Sequence, residues 1–97
     1  MLQPSNHLNG ARLVCFAEVT RAVRPTARTT HRKGGEALGS ARGLAICQYT
    51  GENYFYLFYC DGDWSVVTDT FHLSLEGAKH QAEFEYEGIS RQWMQAV

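Results

Sequence analysis

Tyr54-Phe55-Tyr56-Leu57-Phe58-Tyr59-Cys60, then Asp61-Gly62-Asp63, then Trp64-Ser65-Val66-Val67-Thr68-Asp69, is the stretch that decides the fold of this chain. The first seven residues are apolar or aromatic at every position, which is the signature of a strand covered on both faces. Asp61-Gly62 breaks the run and predicts a two-residue hairpin turn, since glycine accepts the positive φ that a type I′ turn requires. The second run alternates, with Trp64, Val66 and Thr68 on one side and Ser65, Val67 and Asp69 on the other. It reads as the hairpin's partner strand.

Past Ser74 the apolar period lengthens from 2 toward 3.6. Leu75, Ala78, Lys79, Ala82, Tyr86, Ile89 and Trp93 fall on one helical stripe. Ser74 suits an N-cap, because its hydroxyl can accept from the free amides of the first turn. Leu73 and Ala78 have the spacing of a hydrophobic staple. Glu76 favours the positive end of the macrodipole. Gly88 predicts a left-handed cap, with Phe84 and Ile89 placed for its apolar contact, giving a helix over 74–88. The stripe runs on to Trp93, so continuation past Gly88 with a kink is the alternative.

Toward the N-terminus, Ala11 to Val19 and Gly43 to Tyr49 read as two further strands, rich in β-branched and aromatic residues. Thr50-Gly51-Glu52-Asn53 reads as a short hairpin loop. Residues 21–40, with Pro25, three glycines and five basic residues, show no period and read as a long basic loop. Residues 1–10 are polar and read as a loose end. The expectation is a single α+β domain over 1–97. It is a four-stranded antiparallel meander (β-β-β-β-α) with one C-terminal helix packed on one face.

Ninety-seven residues with 44% hydrophobic and 20% charged content suit one soluble domain with a modest core. No apolar run reaches the roughly 20 residues that span a bilayer, and no basic segment precedes an apolar stretch as a secretory signal requires. Cys15, Cys47 and Cys60 are odd in number, form no C-x-x-C, and sit in apolar strands. They read as reduced core thiols of a cytoplasmic protein. Net charge is −1 but unevenly spread: seven Lys/Arg against two Glu through Thr50 give +5, and two against eight acids thereafter give −6. Such asymmetry points to a charged partner or to mutual attraction of the two halves.

Motifs that carry chemistry are scarce. Asp61, Asp63, Ser65 and Asp69 match positions 1, 3, 5 and 9 of a calcium loop. Val66 stands where glycine must bend the loop and His72 where a bidentate Glu must ligate, so no calcium site is expected. His7, His31, His72 and His80 have no zinc spacing. No phosphate-binding glycine loop or nucleophile elbow is present. The reading is therefore of a non-enzyme with no metal and no cofactor, a Cys/His activity being the one catalytic alternative.

Two surfaces depart from what a purely structural domain needs. Glu83, Glu85 and Glu87 crowd the helix's last turns, where the macrodipole disfavours negative charge. His80, Glu83, Phe84 and Glu87, together with Asp61 and Asp63, form a candidate docking face for another protein, a basic one by charge complementarity. An inhibitor- or immunity-like module fits that electrostatic logic, and a self-associating one fits an exposed sheet edge. The alternative surface is the basic loop 21–33, whose Arg21, Arg24, Arg28, Arg32 and Lys33 could clamp a nucleic acid or another anion. A slightly acidic chain makes nucleic acid the lesser of the two.

Overall fold

The computed structural model describes residues 1–96. In chain order its elements are β1 (His7–Leu8), β2 (Ala11–Glu18), β3 (Arg24–Pro25), β4 (Arg32–Lys33), β5 (Glu36–Ala37), β6 (Gly43–Gln48), β7 (Phe55–Cys60), β8 (Val66–His72), α1 (Leu75–Glu85), β9 (Tyr86–Glu87), a 3-10 turn (Ile89–Arg91) and β10 (Met94–Gln95). The main sheet is antiparallel and runs β1-β2-β6-β7-β8, with β10 added beside β2. Strands β2, β6, β7 and β8 are the expected meander, so the α+β class holds. The four-stranded count does not, because β1 and β10 both join it.

Strand β7 lies inside the sheet, between β6 and β8, as its unbroken apolar run requires. Alternate residues enter two cores. Leu57 and Tyr59 join Cys15, Leu44 and Ile46 beneath α1, whose Ala78 and Ala82 make the contact. Phe58 and Cys60 join Leu13, Phe16, Ala45, Cys47 and Trp64 on the other face. Burying both faces removes several aromatic side chains from water, each contributing roughly 1.5–3 kcal/mol.

Local chemistry accounts for most boundaries and for the departures. Residues 1–10 are not a loose end, since His7 and Leu8 pair with Arg12 and Ala11 through an Asn9-Gly10 turn. Residues 21–40 are not structureless. β3 pairs with β9, and β4 pairs with β5. The β7–β8 connection is a hairpin of a different type from the one expected. Gly62 keeps an ordinary φ, and the left-handed residue is Trp64 (φ 62°). Asp61 organises this turn. Its carbonyl accepts from Trp64 N, and its Oδ1 accepts from the amides of Asp63 and Ser65 at 2.9 and 3.0 Å. Strand β8 consequently starts at Val66 rather than Trp64, with a register shift beside Cys60.

The helix starts where its cap predicts, with Ser74 Oγ accepting from Gly77 N at 3.0 Å. It ends at Glu85, three residues short of the expected end. Tyr86 and Glu87 leave the helix to pair with Pro25 and Arg24. Gly88 does take the left-handed conformation (φ 95°), but it opens the 3-10 turn instead of closing α1. That turn keeps Ile89 fully buried, so the apolar stripe survives the change of backbone.

Trp64 is buried because its ring lies where a side chain at position 43 would be. A Cβ on Gly43 would stand 2.5 Å from the Trp64 ring, and the indole N–H donates to the Leu2 carbonyl. Gly43→Ala is therefore expected to cost about 1–3 kcal/mol, as overpacking does. Urea unfolding followed by tryptophan emission measures it; a change inside the surface range of about 0.5 kcal/mol would mean the ring has another place to go.

Candidate functional site

Buried polar chemistry gathers where α1, β7, β8 and the 21–40 segment meet. Glu85 closes α1 and is only 4% exposed. A buried carboxyl group needs several donors, and Glu85 has three. Tyr59 of β7 donates its hydroxyl in a very short bond, Gln81 donates from one helical turn earlier at 2.8 Å, and His31 Nε2 lies at 2.7 Å. Because the carboxylate only accepts, His31 carries a proton on Nε2. In the neutral ring Nδ1 then accepts from the Thr68 hydroxyl at 2.9 Å. The His31 ring also rests on the Tyr59 ring, centroids 4.1 Å apart. On the β8 side the chain continues from Tyr59 to Thr70 Oγ1 (3.3 Å) and on to His72 Nε2 (2.8 Å).

These surroundings shift Tyr59 and His72 from their ordinary values. Burial, and next the bond to Glu85, push the Tyr59 phenol above its ordinary value, so the hydroxyl remains a donor. Burial holds His72 below its ordinary value. The three cysteines are free and buried, and burial pushes their thiols up, to about 11 at Cys15 and about 12 at Cys47 and Cys60. A thiol in that range is a poor nucleophile at neutral pH. The contacts to Thr68 and Glu85 fix the imidazole's orientation.

Of the residues expected to form a docking face, Glu83, Phe84 and Glu87 are brought together at the end of α1, each with a partner inside the chain. Glu83 accepts from the amides of Gly88 and Ser90 at 2.8 and 3.0 Å, capping the 3-10 turn. Glu87 pairs with Arg24 at 2.7 Å. Phe84 is half exposed, with the Arg28 guanidinium over its ring at 5.2 Å. Arg28 also donates to the Phe84 carbonyl, and Thr26 ties the same carbonyl to the loop. His80 is exposed on the outer side of α1. Asp61 and Asp63 sit apart from it, at the β7–β8 turn. Of the basic residues, Arg24 and Arg28 thus lie on the acidic helix end, while Arg21, Arg32 and Lys33 are exposed. The two candidate surfaces therefore meet at Arg24 and Arg28, two of the five basic residues.

Sequence reading missed two groups. One is the His31–Glu85 pair, whose members lie 54 positions apart; the only sequence signal for it was a glutamate on the inner side of an otherwise apolar helix face. The other is an aromatic row. Tyr49 packs edge-on to Tyr56 (5.3 Å) and Tyr56 edge-on to Phe71 (5.5 Å), while Phe71 meets Tyr54 at a tilt (5.1 Å). Phe71 is 51% exposed and Leu73, two residues on, 75%. Glu52 and Asp69 stand close enough to Tyr56 to raise its pKa, after desolvation. Neither carboxylate has an ion-pair partner among the described residues. Nor do three His, Cys, Asp or Glu side chains gather there as a metal site would need. No described helix is long and apolar enough to cross a membrane.

Removing Glu85 leaves His31, Tyr59 and Gln81 without their acceptor. Glu85→Ala is expected to cost about 3–5 kcal/mol, as breaking a buried polar pair does. Glu87→Ala, which breaks an exposed ion pair, should cost no more than about 1 kcal/mol. Denaturant titration of both variants checks the order, and equal losses would show that the buried network carries no special weight.

The two backbone amides bonded to Glu83, that of Gly88 first, hold its carboxyl below the ordinary carboxylate value. A depressed folded-state pKa means stability that is present above the unfolded value and lost as pH falls through the folded one. Glu83→Gln should therefore flatten the acid limb of the stability–pH curve. An unchanged limb in thermal melts between pH 2.5 and 6 (the range set by ordinary carboxylates, roughly 4) would remove Glu83 as its source.

No protein-family model, curated protein or solved structure matches the chain.

Proposed function

We propose that this domain is a protein-interaction module that docks a basic partner, and that the docking face is the open end of the β7–β8 hairpin. The observation that carries this is the aromatic row Tyr49–Tyr56–Phe71–Tyr54, which with Leu73 extends the second core out to solvent beside two unneutralised carboxylates. Exposed aromatic clusters rimmed by polar groups are a usual feature of interaction sites. Tyrosine and phenylalanine offer rigid contact area at low entropy cost, and their faces attract arginine and lysine side chains.

Charge favours this face over the helix end. Glu83, Glu85 and Glu87 are used within the chain. Glu52 and Asp69 flank the rings, and Asp63 is exposed at the tip of the same hairpin. Much of the acidic excess of the second half therefore lies in β8 and in the loops at the two ends of the hairpin. β8 is also an edge strand, and its residues make no backbone bond outside the β7 ladder among the described residues. An extended basic segment could add to that edge while its side chains meet the rings.

Photo-crosslinking tests this reading. A benzophenone amino acid placed at Phe71 is expected to capture a protein with an excess of Lys and Arg, and the capture should be lost with Asp69→Lys. The same probe at Phe84 is expected to capture nothing in common with it. Capture at Phe84 but not at Phe71 would return the docking face to the helix. Capture at neither would overturn the module reading.

A further inference from the structure

A cleft of about 210 Å³ lies between the 38–42 segment and the β7–β8 hairpin. Leu38, Ala41, Cys60 and Val67 give it an apolar lining. Three polar groups line it: Tyr86, which is buried, and Arg42 and Asp61, which are both exposed. Tyr86 is buried, and its hydroxyl oxygen accepts from Ala41 N at 2.7 Å, yet its own proton is donated to nothing among the described residues. Arg42 lines the same cleft, and its guanidinium makes no hydrogen bond or ion pair among them. Asp61 also lines it. One carboxylate oxygen is spent on the turn amides of Asp63 and Ser65, and the other has no donor. Arg42 and Asp61, opposite in sign and lining one cleft, do not pair with each other.

Small-molecule sites are mainly apolar clefts with a few placed polar groups, and of these three the Tyr86 hydroxyl is the buried one, with a proton left to place. A single ligand chemistry completes all three groups. A carboxylate meets Arg42, whose planar fork matches it, and accepts the spare Tyr86 proton. An ammonium meets the free oxygen of Asp61. An apolar body covers Leu38, Ala41 and Val67. We propose that the cleft binds a small zwitterion with an apolar side chain, an α-amino acid such as leucine or phenylalanine. Thr68 and His31 line the same cleft, and their bonds to each other and to Glu85 behind them hold that wall in place. This binding is separate from the hairpin's aromatic face and does not depend on it.

Titration of the full-length protein with L-leucine and L-phenylalanine, followed by amide chemical shifts, tests the proposal. Saturable shifts are expected at Arg42, Asp61 and Val67. The methyl ester of leucine lacks the carboxylate, and 4-methylpentanoate lacks the ammonium; each is expected to bind at least ~10-fold more weakly, about 1.4 kcal/mol. Arg42→Gln should weaken leucine to the level of its ester, with melting unchanged, because the guanidinium has no partner to lose. Asp61→Asn keeps the oxygen that holds the turn and should weaken leucine to the level of 4-methylpentanoate. No saturable shift with either amino acid, analogues that bind as well as leucine, or variants that bind as well as the wild type would each overturn the proposal.

Discussion

One buried carboxyl group ties the parts of this fold to each other. Glu85 cannot remain inside the protein without donors, and those donors come from three directions: Tyr59 from the middle of the sheet, Gln81 from the helix, and His31 from the long connecting segment. Leaving any of them unmatched would cost on the order of 1–3 kcal/mol. The helix is thereby fixed to the sheet by more than its two alanines. A connection with little apolar content of its own acquires a definite path. Thr68, on the outer strand, completes the arrangement by fixing the remaining nitrogen of the imidazole.

The three glutamates at the end of α1 follow from this. Glu83 and Glu85 stand in its last turn against the helix-dipole preference, Glu87 stands past its end in β9, and each is compensated differently. Glu83 caps the next turn of backbone, Glu85 anchors the core network, and Glu87 meets Arg24. The charge asymmetry of the chain is resolved in the same place, because part of the positive first half folds onto the negative end of the helix. Glu52, Asp61, Asp63 and Asp69, without ion-pair partners among the described residues, lie in and beside the hairpin. A local irregularity in sequence can thus mark an internal contact as readily as an external one.

The elements that were legible in the sequence were those whose cause is local. The apolar run at Tyr54–Cys60, the Ser74 cap and the positive φ of Gly88 each depend on a few neighbouring residues. Strands of two residues are too short to show alternation, so β3, β9 and β10 gave no signal. β1 did have one, the Asn9-Gly10 pair, which was masked by its polar surroundings. The Asp61-Gly62 turn was placed correctly but its type was not, since the left-handed position went to Trp64, whose ring gains a buried slot beside Gly43. The candidate site was least legible. Hydrogen bonds such as His31–Glu85 join residues far apart in sequence, and no spacing rule encodes them.

Both β1 and β10 lie along β2, one beside Arg12 and Ala11, the other beside Cys15 and Phe16, and the Leu13 amide and Val14 carbonyl between them are bonded as well. Among the described residues that margin of β2 is covered by strands of two residues each, whereas β8 carries no further strand. A chain seeking an edge to extend would find a long run of amides and carbonyls on one side of the main sheet and only short steps on the other, and short edges of that kind are one way β-sheet proteins limit growth into a fibre.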